Sequence, residues 1–328
     1  MRGRREIPRA PRPTRDRVIA VVVATPWVLW AVLRTLGLER GHPLTALVAF
    51  SPYAAALAPV PVAVALLLRR RAVATVAAVA AVALLAAMLP RVLPGPRRAE
   101  ADAGGRTLVV MSANLLIGQA DPAAVVRLVR EHDVDVLSLQ ELTPDALRRL
   151  DDADVRSLLP GRAVRTDGHW SGLGLLARAP LRAVRPRPGS ASTQLEALMA
   201  DRDGAWLRVV AIHPLPPVSP ANTRAWRRAL RNLPGPCAGG VPRVLLGDFN
   251  ATLDHREMRR LLDRGYVDAA EATGDGLRMT WPTTADRPPL TIDHVLFASP
   301  IRVRRFSLHN VAGSDHRALI AELVLAPG

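Results

Sequence analysis

The chain has 328 residues, 44 of them Arg and none Lys, and a formal charge of +15. That charge is lopsided: residues 1–100 hold 15 Arg against four acids, whereas 101–328 hold 29 Arg against 25 acids. At roughly 150 residues per domain the length predicts about two units, the single Cys237 excludes an intramolecular disulfide, and with Arg as the one strong base, Arg richness alone is poor evidence for nucleic-acid binding.

A basic arm comes first, residues 1–17, with Arg2, Arg4, Arg5, Arg9, Arg12, Arg15 and Arg17. Three apolar stretches follow, about 18–36, 44–68 and 72–89. A helix needs ~17–25 mostly apolar residues to cross the ~30 Å hydrocarbon layer, so each stretch predicts a membrane span. The basic arm would also suit a cleaved signal peptide. Against that, Trp27, Trp30 and Arg34 lie in or at the end of the first stretch, and no small-x-small cleavage site follows, so retention is expected. Pro52, Pro59 and Pro61 predict a kink in the second stretch. Arg resists translocation, which assigns the arm and Arg69-Arg70-Arg71 to the cytoplasmic side and "GLERGHP" (37–43) to the other. Three spans then place the remainder outside the cytoplasm, as a multi-pass protein of the plasma membrane whose partner is the bilayer. No Asp, Glu or His interrupts the spans, so they read as an anchor and not as an ion or proton pathway. Residues 90–106, "PRVLPGPRRAEADAGGR", read as a Pro/Gly/Arg linker.

Over 107–328 short apolar runs alternate with helical stretches. "TLVVMSANLL" predicts a strand, and "DPAAVVRLVREH" a helix with Asp121 as N-cap and Pro122 in the first turn. "VDVLSLQE", "SGLGLLAR", "AWLRVVAIHP", "RVLLGDFN", "TIDHVLFA" and "HRALIAELVL" predict further strands, with "SPANTRAWRRALRNL" and "HREMRRLLDRG" as helices between them. This is an α/β pattern of a size that supports its own core.

The strands stop at polar residues. Asn114 ends the first, Glu141 the second and His213 a middle one; Asp248 and Asn250 end another, Asp293 with His294 sits on a late one, and Asp315 with His316 precedes the last. One such ending is ordinary, but six predict convergence on a shared rim. Asp, Glu and Asn are hard oxygen ligands suited to Mg²⁺ or Mn²⁺, and neither HExxH nor CxxC occurs to suggest zinc. A divalent ion among carboxylates stabilises charge on phosphorus oxygens and polarises water, which points to hydrolysis of a phosphate ester. His213 and His316 suit the same chemistry, with Asp293 the candidate acid that orients a histidine.

In order along the chain, "SANLL", "LSLQE", "AIHPLPP", "LLGDFNA", "TIDHV" and "GSDH" make residues 107–325 resemble the endonuclease/exonuclease/phosphatase superfamily, with its deoxyribonuclease I-like fold. The resemblance implies a four-layer sandwich of two mixed β-sheets flanked by helices, here preceded by three transmembrane helices. It also implies a Mg²⁺-dependent phosphodiesterase or phosphatase. By position it makes Glu141 the main metal ligand, sets Asn114 close to metal and phosphate, and makes Asp315 a further metal-side carboxylate. Asp248, aided by Asn250, would activate or position water; His213 and His316 would contact the scissile phosphate, and Asp293 would orient His316. One departure stands out. Where nucleases of the family carry a Glu partner for the middle His, "HWSGLGLL" offers Ser171 and Gly172, which leaves His169 or another acid to take its place.

Plainer readings accompany these. Asp248 and Asn250 could form an Asx turn, Glu141 could serve the helix start at Thr143-Pro144, and His213 could be a satisfied rim histidine. By alternation His294 is expected to point away from the pocket and Phe249 to pack in the core. Trp281 is either pocket wall or core, Arg224 sits on a basic helix face with Arg227, Arg228 and Arg231 that is expected to be solvated, and Asp254 and Asp268 are expected at the surface. The favoured function is a membrane-tethered hydrolase of phosphate esters. An endonuclease on extracytoplasmic nucleic acid and a catalytically silent binding domain are the alternatives. No protein partner is expected.

Overall fold

The computed structural model describes residues 13–98, 105–166, 168–186, 194–200, 204 and 206–325. Residues 1–12 of the basic arm and 99–104 of the linker lie outside the described residues. Helices come first: α1 (Pro13–Leu36), α2 (Leu44–Val48), α3 (Ser51–Leu57), α4 (Pro59–Leu67) and α5 (Arg71–Val92). Then follow β1 (Arg106–Asn114), α6 (Pro122–Glu131), β2 (Val136–Gln140), α7 (Pro144–Asp152), α8 (Val155–Leu158), β3 (Gly161–Arg165) and β4 (Leu173–Ala177). Next are β5 (Arg182–Pro186), β6 (Gln194–Ala200), β7 (Trp206–Ile212), α9 (Pro220–Arg231), β8 (Cys237–Ala238) and β9 (Val241–Asp248). The chain closes with α10 (Arg256–Asp263), β10 (Tyr266–Asp268), α11 (Ala269–Thr273), β11 (Asp293–Ala298), β12 (Arg302–Asn310) and β13 (Arg317–Leu325).

Two compact units divide these elements: Met1–Leu38 with Ser51–Ala87, and Glu39–Phe50 with Met88–Gly328. In the first, Trp27 Nε1 donates to the Ala54 carbonyl and Trp30 Nε1 to Ser51 Oγ, both at 3.0 Å. Among the described residues two helices are long and apolar enough to cross a membrane, Arg15–Leu36 and Arg71–Val92. The expected second span is corrected. Residues 44–68 do not form one helix: Pro59 opens α4 and Pro52 sits in the first turn of α3. A proline ring carries no N–H and clashes with the preceding turn, so each starts a new helix in place of continuing the old one. α2 moreover belongs to the second unit, with Thr45 and Val48 buried.

The second unit is a layered sandwich. One sheet runs β12-β13-β1-β2-β4-β3; the other runs β10-β11-β9-β7-β6-β5, with β8 beside β9. Both are mixed, since β1–β2 and β7–β9 are parallel among antiparallel neighbours. Leu108, Leu175, Val209, Leu246, Phe297 and Leu323 belong to a single cluster drawn from both sheets, which places the main core between them. On the outer face of the first sheet, Met111, Leu137 and Leu176 pack with Val125, Val129 and Leu150 of α6 and α7. On the outer face of the second, Val210, Leu245 and Leu296 pack with Trp226, Leu230 and Met258 of α9 and α10. Helix starts follow the sequence: Asp121 accepts from Ala123 N, Thr143 from Ala146 N and Ser219 from Asn222 N, each with Pro in the first turn. The four-layer expectation thus has its physical basis in three apolar clusters, one at each interface between adjacent layers.

Candidate active site

Strand register gathers the site. β1 and β2 are parallel with Asn114 opposite Gln140, so Asn114 and Glu141 emerge from adjacent strand ends. In the other sheet Ile212 lies opposite Gly247, so His213 and Asp248 leave β7 and β9 side by side. Asp293 sits opposite Asp248 across the antiparallel β9–β11 pair. Gly247 is needed for this approach: a Cβ there would lie 2.0 Å from the Ile212 carbonyl oxygen, and the backbone runs at φ +150°. Glu141 and Asn250 adopt φ values of 55° and 48°, a left-handed conformation uncommon outside glycine. Such strain concentrates where a side chain must be aimed.

All eight residues expected at the site belong to one connected network. Asn114 Nδ2 donates to Glu141 Oε1 and to Asp248 Oδ2, both at 3.2 Å. Glu141 Oε2 accepts from Ile117 N at 2.7 Å. His213 Nε2 lies 3.7 Å from Glu141 Oε1 and 3.6 Å from Asp248 Oδ2. Asp248 Oδ1 accepts from Asn250 N at 2.7 Å, and Asn250 Nδ2 donates to the Pro214 carbonyl at 3.0 Å, which ties the two loops together. His316 Nδ1 stands 3.0 Å from Asp293 Oδ2, while its Nε2 lies 3.9 Å from both Asp248 Oδ2 and Asp315 Oδ1. Asp315 Oδ2 accepts from Trp281 Nε1 at 2.8 Å, so Trp281 is a half-buried wall of the site and not core.

The electrostatics follow from four carboxylates meeting in a mostly buried place. Burial, and after it the charge of Asp293, pushes the Asp248 carboxyl up to about 7, against the lowering pull of His316 and the Asn250 N–H. Burial raises Glu141 too, opposed by hydrogen bonds from Asn114 and Ile117. His316 behaves inversely: burial pulls it down, but Asp293, Asp248 and Asp315 outweigh that and raise it to about 9. His316 therefore carries a proton at neutral pH and is held by Asp293 through Nδ1, with Nε2 facing the pocket. Ligand atoms of Asp248, Asp293 and His316 all lie within 4.8 Å of one another. Carboxylates whose ionisation is disfavoured first by burial, as those of Asp248 and Glu141 are, make an environment that a divalent cation relieves.

Several features were beyond the reach of sequence reasoning. The aromatic ring beside His213 is Trp170, edge-on at 6.2 Å between centroids, from the same segment where nucleases of the family carry a Glu. Gly172 excludes any acid at its own position, because a Cβ would meet the Leu142 carbonyl oxygen at 1.9 Å. His169 is exposed. Asp254 and Asp268, expected at the surface, are fully buried, and the correction has a cause in each case: Asp254 pairs with Arg91, and Asp268 with His294 at 2.8 Å. His294 itself points away from the pocket as alternation predicts, its Nε2 2.8 Å from the Ala251 carbonyl. Phe249 is buried against Trp226, whose Nε1 donates to the Phe249 carbonyl at 3.0 Å. Arg224 is exposed on α9.

Residues 111–316 match the model of the Endonuclease/Exonuclease/phosphatase family. The chain belongs to that family. A comparison with curated proteins finds no match. Several solved structures share the fold at low identity. D. rerio TDP2 complexed with a single-strand DNA product is 18% identical with TM-score 0.51, covering 67% of this chain and 99% of that one. A Bacteroides thetaiotaomicron endonuclease/exonuclease/phosphatase family protein is 18% identical with TM-score 0.51, covering 69% and 100%. A mannosyl-6-phosphatase of the same organism is 18% identical with TM-score 0.50, covering 66% and 100%.

Proposed function

We propose that this endonuclease/exonuclease/phosphatase family chain is a membrane-anchored, divalent-metal-dependent hydrolase of phosphate esters whose catalytic domain faces away from the cytoplasm. The observation that carries the reading is the convergence of Asn114, Glu141, His213, Asp248, Asn250, Asp293, Asp315 and His316, from six separate strand ends, onto one polar pocket. Glu141, Asn114 and Asp315 would hold Mg²⁺ or Mn²⁺, which when bound supplies stabilisation of charge on the phosphoryl oxygens. His316, protonated and oriented by Asp293, donates a hydrogen bond to a phosphoryl oxygen. Asp248, with its carboxyl poised near neutrality, takes the proton of the attacking water, and Asn250 fixes the rotamer of Asp248. His213, whose Nε2 lies 3.6 Å from Asp248 Oδ2, contacts the same phosphate.

Two features support the anchor and its sidedness. Most exposed large apolar side chains lie on the N-terminal helices, Val22, Leu29, Leu67, Val79 and Val82 among them, as a lipid-facing surface requires. Residues 39–50 share a compact unit with the catalytic domain, so both lie on one side of any membrane that α1 crosses, opposite the Arg-rich arm.

The decisive assay uses the full chain in detergent. Plasmid DNA, RNA, phosphatidylinositol phosphates, sphingomyelin and p-nitrophenyl phosphate esters are offered with Mg²⁺, then with EDTA, beside Asp248→Ala. Turnover of at least one ester that vanishes with EDTA and with Asp248→Ala is expected. A panel left intact, or turnover that survives chelation, refutes the reading.

A further inference from the structure

Along β1 and β2 every second side chain faces the layer between the two sheets. On β1 these are Leu108, Val110, Ser112 and Asn114, and on β2 Val136, Ser138 and Gln140; Leu108, Val110 and Val136 belong to the core shared by both sheets. Register sets Val110 opposite Val136, Ser112 opposite Ser138 and Asn114 opposite Gln140. Each strand therefore turns from apolar to polar on its inner face before it reaches the site. Ser112, Ser138 and Gln140 are all 0% exposed. A buried hydroxyl or amide destabilises the fold unless it is hydrogen-bonded, and here the three are bonded in a single direction. Ser112 Oγ donates to Gln140 Oε1 at 3.2 Å, Gln140 Nε2 donates to Ser138 Oγ at 2.8 Å, and Ser138 Oγ donates to the Leu246 carbonyl at 3.3 Å. The Ser138 hydroxyl has one proton, and with its oxygen taken by Gln140 that proton is committed to Leu246.

Leu246 belongs to β9, so the chain of bonds starts on one sheet and ends on the backbone of the other. It crosses just beneath the site. Ser138 lies three residues before Glu141 and Leu246 two before Asp248, within roughly 10 Å of strand at ~3.3 Å per residue. The gap it spans divides the site by role. Asn114 and Glu141 close β1 and β2 of the first sheet and Asp315 precedes β13 of the same sheet, whereas His213, Asp248 and Asp293 stand at the ends of β7, β9 and β11 of the second. The residues assigned to the metal thus all leave one sheet, and the carboxylate assigned to the attacking water leaves the other. Apolar packing between sheets has no preferred direction, while each hydrogen bond fixes a donor-to-acceptor distance. At the site itself the gap is the 3.2 Å from Asn114 Nδ2 to Asp248 Oδ2.

We propose that Ser112, Gln140 and Ser138 form a strut that fixes the gap between the metal-holding sheet and the sheet carrying Asp248, and that they act as positioning residues for the attack of water. The strut stands on geometry, and its effect on rate rests on the hydrolase reading.

The test uses the full chain in detergent, the ester of the substrate panel that the wild type turns over fastest, and calorimetric titration with Mn²⁺. Ser138→Ala is expected to lower kcat by at least roughly tenfold, since a misplacement of about 1 Å can cost about 10²-fold. Affinity for Mn²⁺ should stay within about twofold, because the oxygen ligands all leave one sheet. Val136→Ala removes apolar contacts from the same strand and layer; it should lower the denaturant midpoint while kcat stays within about twofold. A parallel loss of kcat in both variants, an unchanged kcat in Ser138→Ala, or a Mn²⁺ affinity that falls with kcat would each leave only ordinary fold support and overturn the proposal. If the wild type turns over no ester, the hydrolase reading has failed and the strut is judged by stability alone. For that, Ser138→Ala and Gln140→Met are combined. Links of one chain should not add, so the double variant lowers the midpoint no further than the larger of the single shifts. A shift equal to their sum overturns the strut, and Ser112→Ala replaces Gln140→Met if that variant does not fold.

Discussion

The N-terminal helices and the C-terminal sandwich are built from much the same aliphatic residues and distribute them in opposite ways. In the helical unit Val18, Val22, Leu29, Leu67, Val79 and Val82 are all more than half exposed, and the buried side chains are chiefly alanines such as Ala20, Ala65 and Ala77. In the sandwich the large residues are inside: Leu108, Val136, Leu175, Leu246 and Phe297 are buried between sheets. Water enforces the second arrangement and would penalise the first, at roughly 25 cal/mol per Å² of exposed apolar surface. The difference teaches that sequence hydrophobicity says how much apolar surface exists, whereas only the structure says which of it is covered, small side chains inside the helical unit and large ones inside the sandwich.

Charge sharpens the same contrast. Among the described residues of α3, α4 and the body of α5 there are no acidic side chains, while the sandwich gathers four carboxylates in one pocket. The largest expected effect therefore lies there: Asp248→Ala in the full chain should lower kcat on a p-nitrophenyl phosphate ester by about 10²–10⁴-fold. Thermal unfolding should move little or upward, because burial and Asp293 already disfavour that carboxylate. A coincident loss of structure would show Asp248 to be a fold residue instead.

Next comes the core. Leu246→Ala in β9 should cost about 2–5 kcal/mol by denaturant titration, since Leu246 is 0% exposed between the two sheets. An equal cost for Val79→Ala, 66% exposed on α5, would erase the contrast; the expectation there is within about 0.5 kcal/mol.

Between these in size is a pH effect at His255. Burial lowers the His255 pKa to about 4, opposed by its hydrogen bonds and by Asp254. The unfolded chain binds that proton near pH 6.5 while the folded histidine stays neutral, so its stability contribution is whole above that value and falls as pH drops toward 4. By pH 5 the loss should reach about 2 kcal/mol, read as the difference in unfolding free energy between wild type and His255→Gln, whose own titration is absent. A difference independent of pH over 7 to 5 would show that the ring is not held neutral. The smallest effect is expected at the rim, where Ile117→Ser should leave unfolding unchanged within about 0.5 kcal/mol.

Much of the sandwich was legible because its signals are local. Alternating runs such as "RVLLGDFN" mark strands, and Asp121-Pro122 and Thr143-Pro144 mark helix starts that form as expected. The convergence of the polar residues closing those strands was legible for the same reason, since a strand end fixes where its next side chain goes. The interruption of residues 44–68 was half legible: the prolines were visible, but whether neighbours would absorb a kink or new helices would start depends on packing. Asp254 and Asp268 were misplaced because a lone Asp in a polar stretch gives no sign of a partner that is 163 residues away in one case and a histidine of the next strand in the other.

By itself the sequence determined the long apolar helices, the α/β order and which side chains close the strands, because each depends on composition or on periods of two and 3.6 residues within a short window. Tertiary structure alone decided that Asp248 sits opposite Asp293, that Trp170 stands beside His213, and that Asp254, His255 and Arg256 grip Arg91, Thr45 and Glu39. Those are pairings between distant segments, and burial turns each of them from a weak surface attraction into a contact whose partner must be present, a condition no local pattern records.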